Sequence, residues 1–67
     1  MKAFKASEVT PLLVADRELM ERWKQAAKEE KLIARSKGGE NWVVVADEEL
    51  ASVLEQKGLK ATPWEEA

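Results

Sequence analysis

The sequence predicts a small α+β domain in which helices pack against a two-stranded antiparallel hairpin. Three observations indicate this fold class. Gly38-Gly39 separates two runs that contain β-branched residues, as in a hairpin with a two-residue loop. Apolar residues recur at helical spacing on both sides of this hairpin. An isolated hairpin is marginal in water, so the flanking helices must supply its packing.

The first segment, Lys2 to Ala6, carries Phe4 as its only large apolar side chain. Such a segment suits a short third strand that extends the predicted sheet. It equally suits an extended lead-in to the first helix, and both interpretations stay open here.

The start of the next helix has two alternative caps. With Ser7 as N-cap, a short helix ends near Val14 and Asp16 caps a second helix. With Thr10 as N-cap, Pro11 takes the first helical position and one helix continues to about residue 31. The first alternative predicts a helix-turn-helix, and the second predicts one long helix.

The segment from residue 17 to residue 30 is an amphipathic helix under both alternatives. We interpret its apolar stripe as core rather than as a ligand site, and the stripe consists of Leu19, Met20, Trp23, Ala26 and Ala27. The opposite face mixes the two signs of charge and carries Glu18, Glu21, Gln25 and Lys28.

The hairpin register follows from a Gly38-Gly39 loop, which pairs Lys37 with Glu40 and continues to Leu32 with Val45. One face then carries Leu32, Ala34, Val43 and Val45, and the other carries Ile33, Arg35, Trp42 and Val44. Since both faces are partly apolar, either the helices cover both or the Trp42 face remains an interaction patch. For Arg35, stacking on Trp42 is favoured over base stacking.

A third helix follows the hairpin. Asp47 is a good N-cap, and the two glutamates after it suit the positive end of the helix dipole. Gly58 ends this helix, whose buried stripe is Leu50, Val53 and Leu54. The predicted organisation is one domain at residues 1–59 and a C-terminal tail at residues 60–67, ordered only where Trp64 packs back onto the domain.

The composition argues against an enzyme and predicts no catalytic, cofactor-binding or metal-binding residues. A chain of 67 residues has a thin core, and it contains no histidine and no cysteine. Its adjacent carboxylates belong to helix ends or to the tail. No apolar run approaches the roughly 20 residues that span a bilayer. We expect a cytoplasmic protein with no membrane partner and no small-molecule substrate.

The order of elements under the Ser7-cap alternative resembles the DNA-binding domain of MerR-type regulators and phage excisionases, over roughly residues 1–59. That family has a helix-turn-helix, a two-stranded wing and a further helix. The resemblance is carried by Phe4, Ser7-Glu8-Val9, Leu12-Leu13, Arg22-Trp23, Leu32, Arg35, Gly39, Trp42, Leu50 and Gly58.

This resemblance implies a stand-alone regulatory protein that binds double-stranded DNA without a cofactor. The helix from Asp16 to Lys28 would enter the major groove, and the hairpin would be a wing on the DNA backbone. The residues that it implies as DNA contacts are Arg17, Arg22, Lys24, Lys28, Arg35, Lys37, Gly38 and Gly39.

Two other functions compete with DNA binding. The net charge is −2, and the carboxylates of Glu18 and Glu21 oppose the approach of a polyanion. These observations favour a protein-binding module that contacts a host or regulatory protein, with an interface formed by Ile33, Arg35, Trp42, Val44 and Trp64. The one-helix alternative instead suggests a structural part similar to small phage head-tail joining proteins.

Overall fold

The computed structural model describes residues 1–65, which form three helices and a four-stranded antiparallel sheet. The helices are α1 (Ala6–Ala15), α2 (Arg17–Lys28) and α3 (Glu48–Gln56). The strands, in the sheet order β2-β3-β1-β4, are β2 (Leu32–Lys37), β3 (Glu40–Val45), β1 (Lys2–Lys5) and β4 (Thr62–Pro63). The predicted α+β class is confirmed, and the sheet contains two strands beyond the hairpin.

Strand β1 lies inside the sheet, between β3 and β4. It pairs with β3 from Lys2↔Val45 to Lys5↔Trp42. Ala3 and Phe4, which point to opposite faces of the strand, are both completely buried. The first segment is therefore a strand and not an extended lead-in to the first helix. This strand is covered on both faces.

The chain breaks between α1 and α2 at Asp16, whose backbone is extended (φ −129°, ψ 102°). The Asp16 carboxylate accepts a hydrogen bond from the Leu19 N–H at 3.1 Å, as an N-cap does. The alternative of one continuous helix is wrong. The predicted Ser7 cap is also wrong, because α1 begins at Ala6 directly after β1 and has no side-chain cap.

The hairpin has the predicted register over all six pairs, from Leu32↔Val45 to Lys37↔Glu40. Its loop residues Gly38 and Gly39 have φ values of 62° and 78°. Two successive positive φ values are the signature of a type I′ turn, whose twist matches that of paired strands. The predicted primed turn is confirmed.

The hydrophobic core lies between the helices and one face of the sheet. It contains Phe4 and Val45 from the sheet, and its helical members are Val9, Leu13, Leu19, Ala26, Leu50, Ala51 and Leu54. Within the predicted α2 stripe, Met20 and Trp23 are half-buried against this core. Ala27 is exposed, so its assignment to the core was wrong.

The segment predicted as a tail joins the sheet through Thr62–Pro63. Strand β4 pairs with β1, and the Trp64 N–H donates to the Met1 carbonyl at 2.9 Å. Trp64 therefore packs back onto the domain, which was the predicted condition for order, and the structural unit extends past residue 59. The last two residues of the predicted tail lie outside the described residues. Over residues 1–65, no helix is long and apolar enough to cross a membrane.

Candidate nucleic-acid interface

The outward face of α2 is more basic than the sequence suggested. Leu19 and Ala26 are the buried residues of this helix, and they set its inward direction. At about 100° per residue, the side chains directly opposite are those of Arg17, Glu21, Lys24 and Lys28, and all four are exposed. Glu18 and Gln25, expected at the centre of this face, lie on its flank.

Most of the positive charge on this stripe is not neutralised within the chain. Lys24 Nζ lies 4.0 Å from Glu21 Oε1, at the outer limit of an ion pair between exposed groups. Within residues 1–65, Arg17 and Lys28 form no ion pair. The stripe therefore offers two unpaired cations, with a third that is weakly paired.

Arg22, also predicted as a DNA contact, lies elsewhere on the helix surface. Its Nη2 atom is 3.8 Å from Glu49 Oε2, so the side chain bridges α2 to the start of α3. Both side chains are more than half exposed. The structure therefore separates Arg22 from the stripe formed by Arg17, Lys24 and Lys28.

The start of α2 is fixed by two interactions of the Asp16 carboxylate. The N–H of Leu19 donates to it, and the Lys57 ammonium lies 3.0 Å from its second oxygen. Both hold the pKa of Asp16 below its ordinary value, with the Leu19 N–H as the larger cause. Since Lys57 follows α3, this pair connects the turn before α2 to a distant helix.

The far half of the hairpin projects from the body of the protein. Every residue from 34 to 41 is exposed, including Ala34, which lies on the same face of the sheet as Phe4 and Val43. The helices therefore cover only the base of the hairpin. The projecting part contains all four wing residues implied by the family resemblance, namely Arg35, Lys37, Gly38 and Gly39.

A three-residue connection joins α2 to this hairpin. Lys31 Nζ lies 2.9 Å from Glu29 Oε1 and 4.0 Å from Asp47 Oδ2. The Glu29 carboxylate raises the pKa of Lys31, and hydrogen bonds from Gln25 and then Lys31 lower the pKa of Glu29. The connection is short, and the ion pairs of Lys31 with Glu29 and Asp47 stabilise it. Both features limit how far α2 and β2 can move apart.

The opposite face of the sheet is partly covered. Val44 is completely buried, and Ile33 is half-buried. The rings of Trp42 and Trp64 lie 6.0 Å apart between centroids, at an interplanar angle of 41°. Of the predicted interface residues, Arg35 alone is classed as exposed, and its Nη1 donates to the Ala34 carbonyl at 3.0 Å.

Two lysines complete this aromatic cluster. Lys5 Nζ lies 5.8 Å from the centroid of Trp42, and Lys37 Nζ lies 5.2 Å from that of Trp64. Sequence reasoning missed Lys5, although alternation along β1 puts it on the face opposite Phe4 and beside Trp42. The indole Nε1 of Trp42 is buried and has no hydrogen-bond partner among residues 1–65.

Acidic side chains form no metal site within residues 1–65, since no three of them are grouped so as to hold an ion. Comparison of the chain with protein-family models, with curated proteins and with solved structures found no match.

Proposed function

We propose that this chain is a regulatory protein that binds double-stranded DNA as a winged helix-turn-helix. In this proposal α2 enters the major groove and the hairpin contacts the DNA backbone. The observation that carries it is the exposed stripe of α2 opposite the core, on which the three cations Arg17, Lys24 and Lys28 outnumber the single carboxylate of Glu21. A stripe of this kind can contact the polyanion without disturbing the fold.

The dimensions and the order of the elements support the proposal. Helix α2 has 12 residues and is therefore about 18 Å long. The diameter of an α-helix with its side chains is about 10–12 Å, which fits the B-DNA major groove, about 12 Å wide. The break at Asp16 makes α2 the second helix of a pair, and the projecting hairpin follows it, as the MerR and excisionase resemblance requires.

The residues of α2 have different roles in this arrangement. Arg17 lies in the first turn, and the N-terminal residues of a recognition helix are those that reach base edges. Its guanidinium suits the two acceptors of guanine. Lys24 and Lys28 lie further along and suit phosphates, which they contact without reading sequence.

The net charge of −2 means that DNA attraction comes from this local surface alone. If Lys24, Lys28 and Lys37 each neutralise one phosphate, the slope of log K against log salt is about −3. A strongly basic domain with more phosphate contacts would show a steeper slope. The proposal therefore predicts weak binding that is lost at moderate salt.

The test is fluorescence anisotropy with a labelled random-sequence duplex, starting at about 25 mM salt, where counterion release favours binding most. We expect Lys28→Glu to weaken binding at least tenfold, through loss of one contact and repulsion by the new charge. Lys2→Glu is the matched control, because it makes the same charge change at the end of β1 farthest from the hairpin loop, and its exposed ion pair with Glu55 contributes little to stability. No binding by the unmodified chain, or equal losses in the two variants, contradicts the proposal.

Two structural observations weigh against the competing functions. The protein-binding alternative relied in part on an open Trp42 face, and the Trp64 ring packs against that of Trp42 with 6.0 Å between centroids. Val14 on α1 is 78 % exposed, but a single apolar side chain at a surface is common. The phage joining-protein alternative required one long helix, and the break at Asp16 removes it.

A further inference from the structure

We infer that Trp64 is a positioning residue for the hairpin: it holds the projecting wing, with Lys37, against the body of the domain. The effect on DNA rests on the proposed function. The effect on the hairpin itself concerns the free protein and is independent of any ligand.

The backbone of Trp64 is anchored before its side chain reaches the hairpin. Strand β4 pairs with the inner strand β1 through Lys2↔Pro63 and Ala3↔Thr62. The Trp64 N–H then donates to the Met1 carbonyl at 2.9 Å. The indole therefore starts from a fixed point at the edge of the sheet opposite β2.

From this point the side chains form a continuous series of contacts across the sheet. Lys5 on β1 lies over Trp42 on β3, Trp42 packs on Trp64, and Trp64 lies under Lys37 on β2. Lys37 is the last residue of β2 and adjoins the turn at Gly38-Gly39. The series therefore reaches from the inner strand to the tip of the wing.

The helices leave the wing exposed, and apart from the contact between Trp64 and Lys37 it is joined to β1 by the exposed ion pair of Glu40 with Lys5, at 3.5 Å. Residues 34–41 are exposed, and a two-stranded ribbon without a packed face is marginally stable. A hairpin that is already ordered pays less entropy when it binds. Lys37 also stays positively charged while it contacts Trp64, since a cation–π interaction involves no proton transfer and no counter-charge. Its charge therefore remains available to a phosphate.

The experiment compares the full chain with Trp64→Ala, Trp64→Phe and Lys37→Met. Hydrogen exchange of the amides of residues 35–41 is the first readout, with the amides of α3 as internal reference. We expect Trp64→Ala to accelerate hairpin exchange about five- to tenfold while α3 is unchanged, and Trp64→Phe to restore most of the protection. Lys37→Met should accelerate exchange at the tip to a smaller extent.

Duplex binding is the second readout. It distinguishes a residue that positions the hairpin, Trp64, from a residue that contacts phosphate, Lys37. Trp64→Ala should weaken binding about five- to tenfold with an unchanged salt slope, because no phosphate contact is removed. Lys37→Met should reduce the magnitude of the slope by about 1.

Unchanged hairpin exchange in Trp64→Ala overturns the inference, as does a change of salt slope in that variant. If Trp64→Ala does not fold, Lys37→Met decides, because its exposed side chain is not needed for the core, and unchanged tip exchange then overturns the inference. If the unmodified chain binds no duplex, the proposed function fails, and hydrogen exchange still tests the role of Trp64.

Discussion

Glu30 and Gly58 occupy the same position in two copies of one helix-ending motif. Each is the second residue after its helix, and each has a positive φ, 60° for Glu30 and 100° for Gly58. In both copies, this residue and the next donate their N–H groups to carbonyls three and five residues earlier, at 2.9–3.2 Å. This is the Schellman pattern, in which glycine is preferred because it has no Cβ.

Replacing Glu30 with glycine should therefore stabilise the protein. A non-glycine residue in the left-handed region destabilises the folded state by roughly 1–2 kcal/mol. Glycine removes this strain, but it also has more conformational entropy in the unfolded chain, which offsets part of the gain. We expect Glu30→Gly to raise the free energy of unfolding by about 0.5–1 kcal/mol in urea titrations followed by circular dichroism. Glu29→Gly is the control and should destabilise, since φ at Glu29 is −87°. A destabilised Glu30→Gly variant would contradict the strain assigned to this residue.

The Leu19 N–H and the Lys57 ammonium, which both contact the Asp16 carboxylate, predict how stability falls in acid. The folded-state pKa of Asp16 lies below its ordinary value of 3.8. A carboxylate whose pKa is lowered on folding stabilises the protein above its unfolded pKa. That contribution is lost as the pH falls below about 4 and through the folded pKa. Glu29, whose pKa is also lowered, acts in the same direction.

Asp16→Asn tests this linkage with the N-cap retained, because asparagine caps helices as well as aspartate does. The free energy of unfolding, measured in urea from pH 2 to pH 7, should depend less on pH in the variant. The two curves should converge at low pH, where the aspartate is protonated. Parallel curves over this whole range would show that the carboxylate does not titrate differently in the folded state.

The hairpin and the two ends of α3, at Asp47 and Gly58, could be predicted because they depend on neighbouring residues. A Gly-Gly loop fixes both the turn type and the pairing of the strands next to it, and the whole register is confirmed. Strand β4 could not be predicted in this way. It has two residues, one of them a proline, and its pairing partner β1 is about 60 residues away.

The break at Asp16 shows a different limit. The sequence allows both a cap at Asp16 and a continuous helix, and local propensity does not choose between them. Lys57 binds Asp16 from the end of α3, a contact that no local pattern contains. The positions of Glu18 and Ala27 around α2 were also predicted wrongly. The inward direction of a helix depends on which of its sides meets the core, and the local pattern does not determine this.

Trp42 provides a test of the buried indole N–H that has no partner. A buried donor without an acceptor costs about 1–3 kcal/mol, and phenylalanine removes the donor but keeps a ring against Trp64. We expect Trp42→Phe to change the free energy of unfolding by less than about 1 kcal/mol, because the lost contact area offsets this gain. Trp42→Ala should cost about 3 kcal/mol. Equal losses in the two variants would mean that the N–H is hydrogen-bonded in solution.

Gly38 offers the last test, of the turn at the tip of the hairpin. A Cβ at this position would meet no atom within 4 Å, so a substitution is limited by its φ of 62° alone. Asparagine tolerates this conformation and is favoured at the first loop position of a type I′ turn, whereas alanine is not. We expect Gly38→Asn to be neutral or stabilising and Gly38→Ala to cost about 1 kcal/mol in urea titrations. Under the proposed DNA-binding function, Gly38→Asn should also leave duplex affinity within about twofold of the unmodified chain, because the hairpin backbone is retained. A loss as large in the asparagine variant as in the alanine variant would mean that something other than φ requires glycine at the tip.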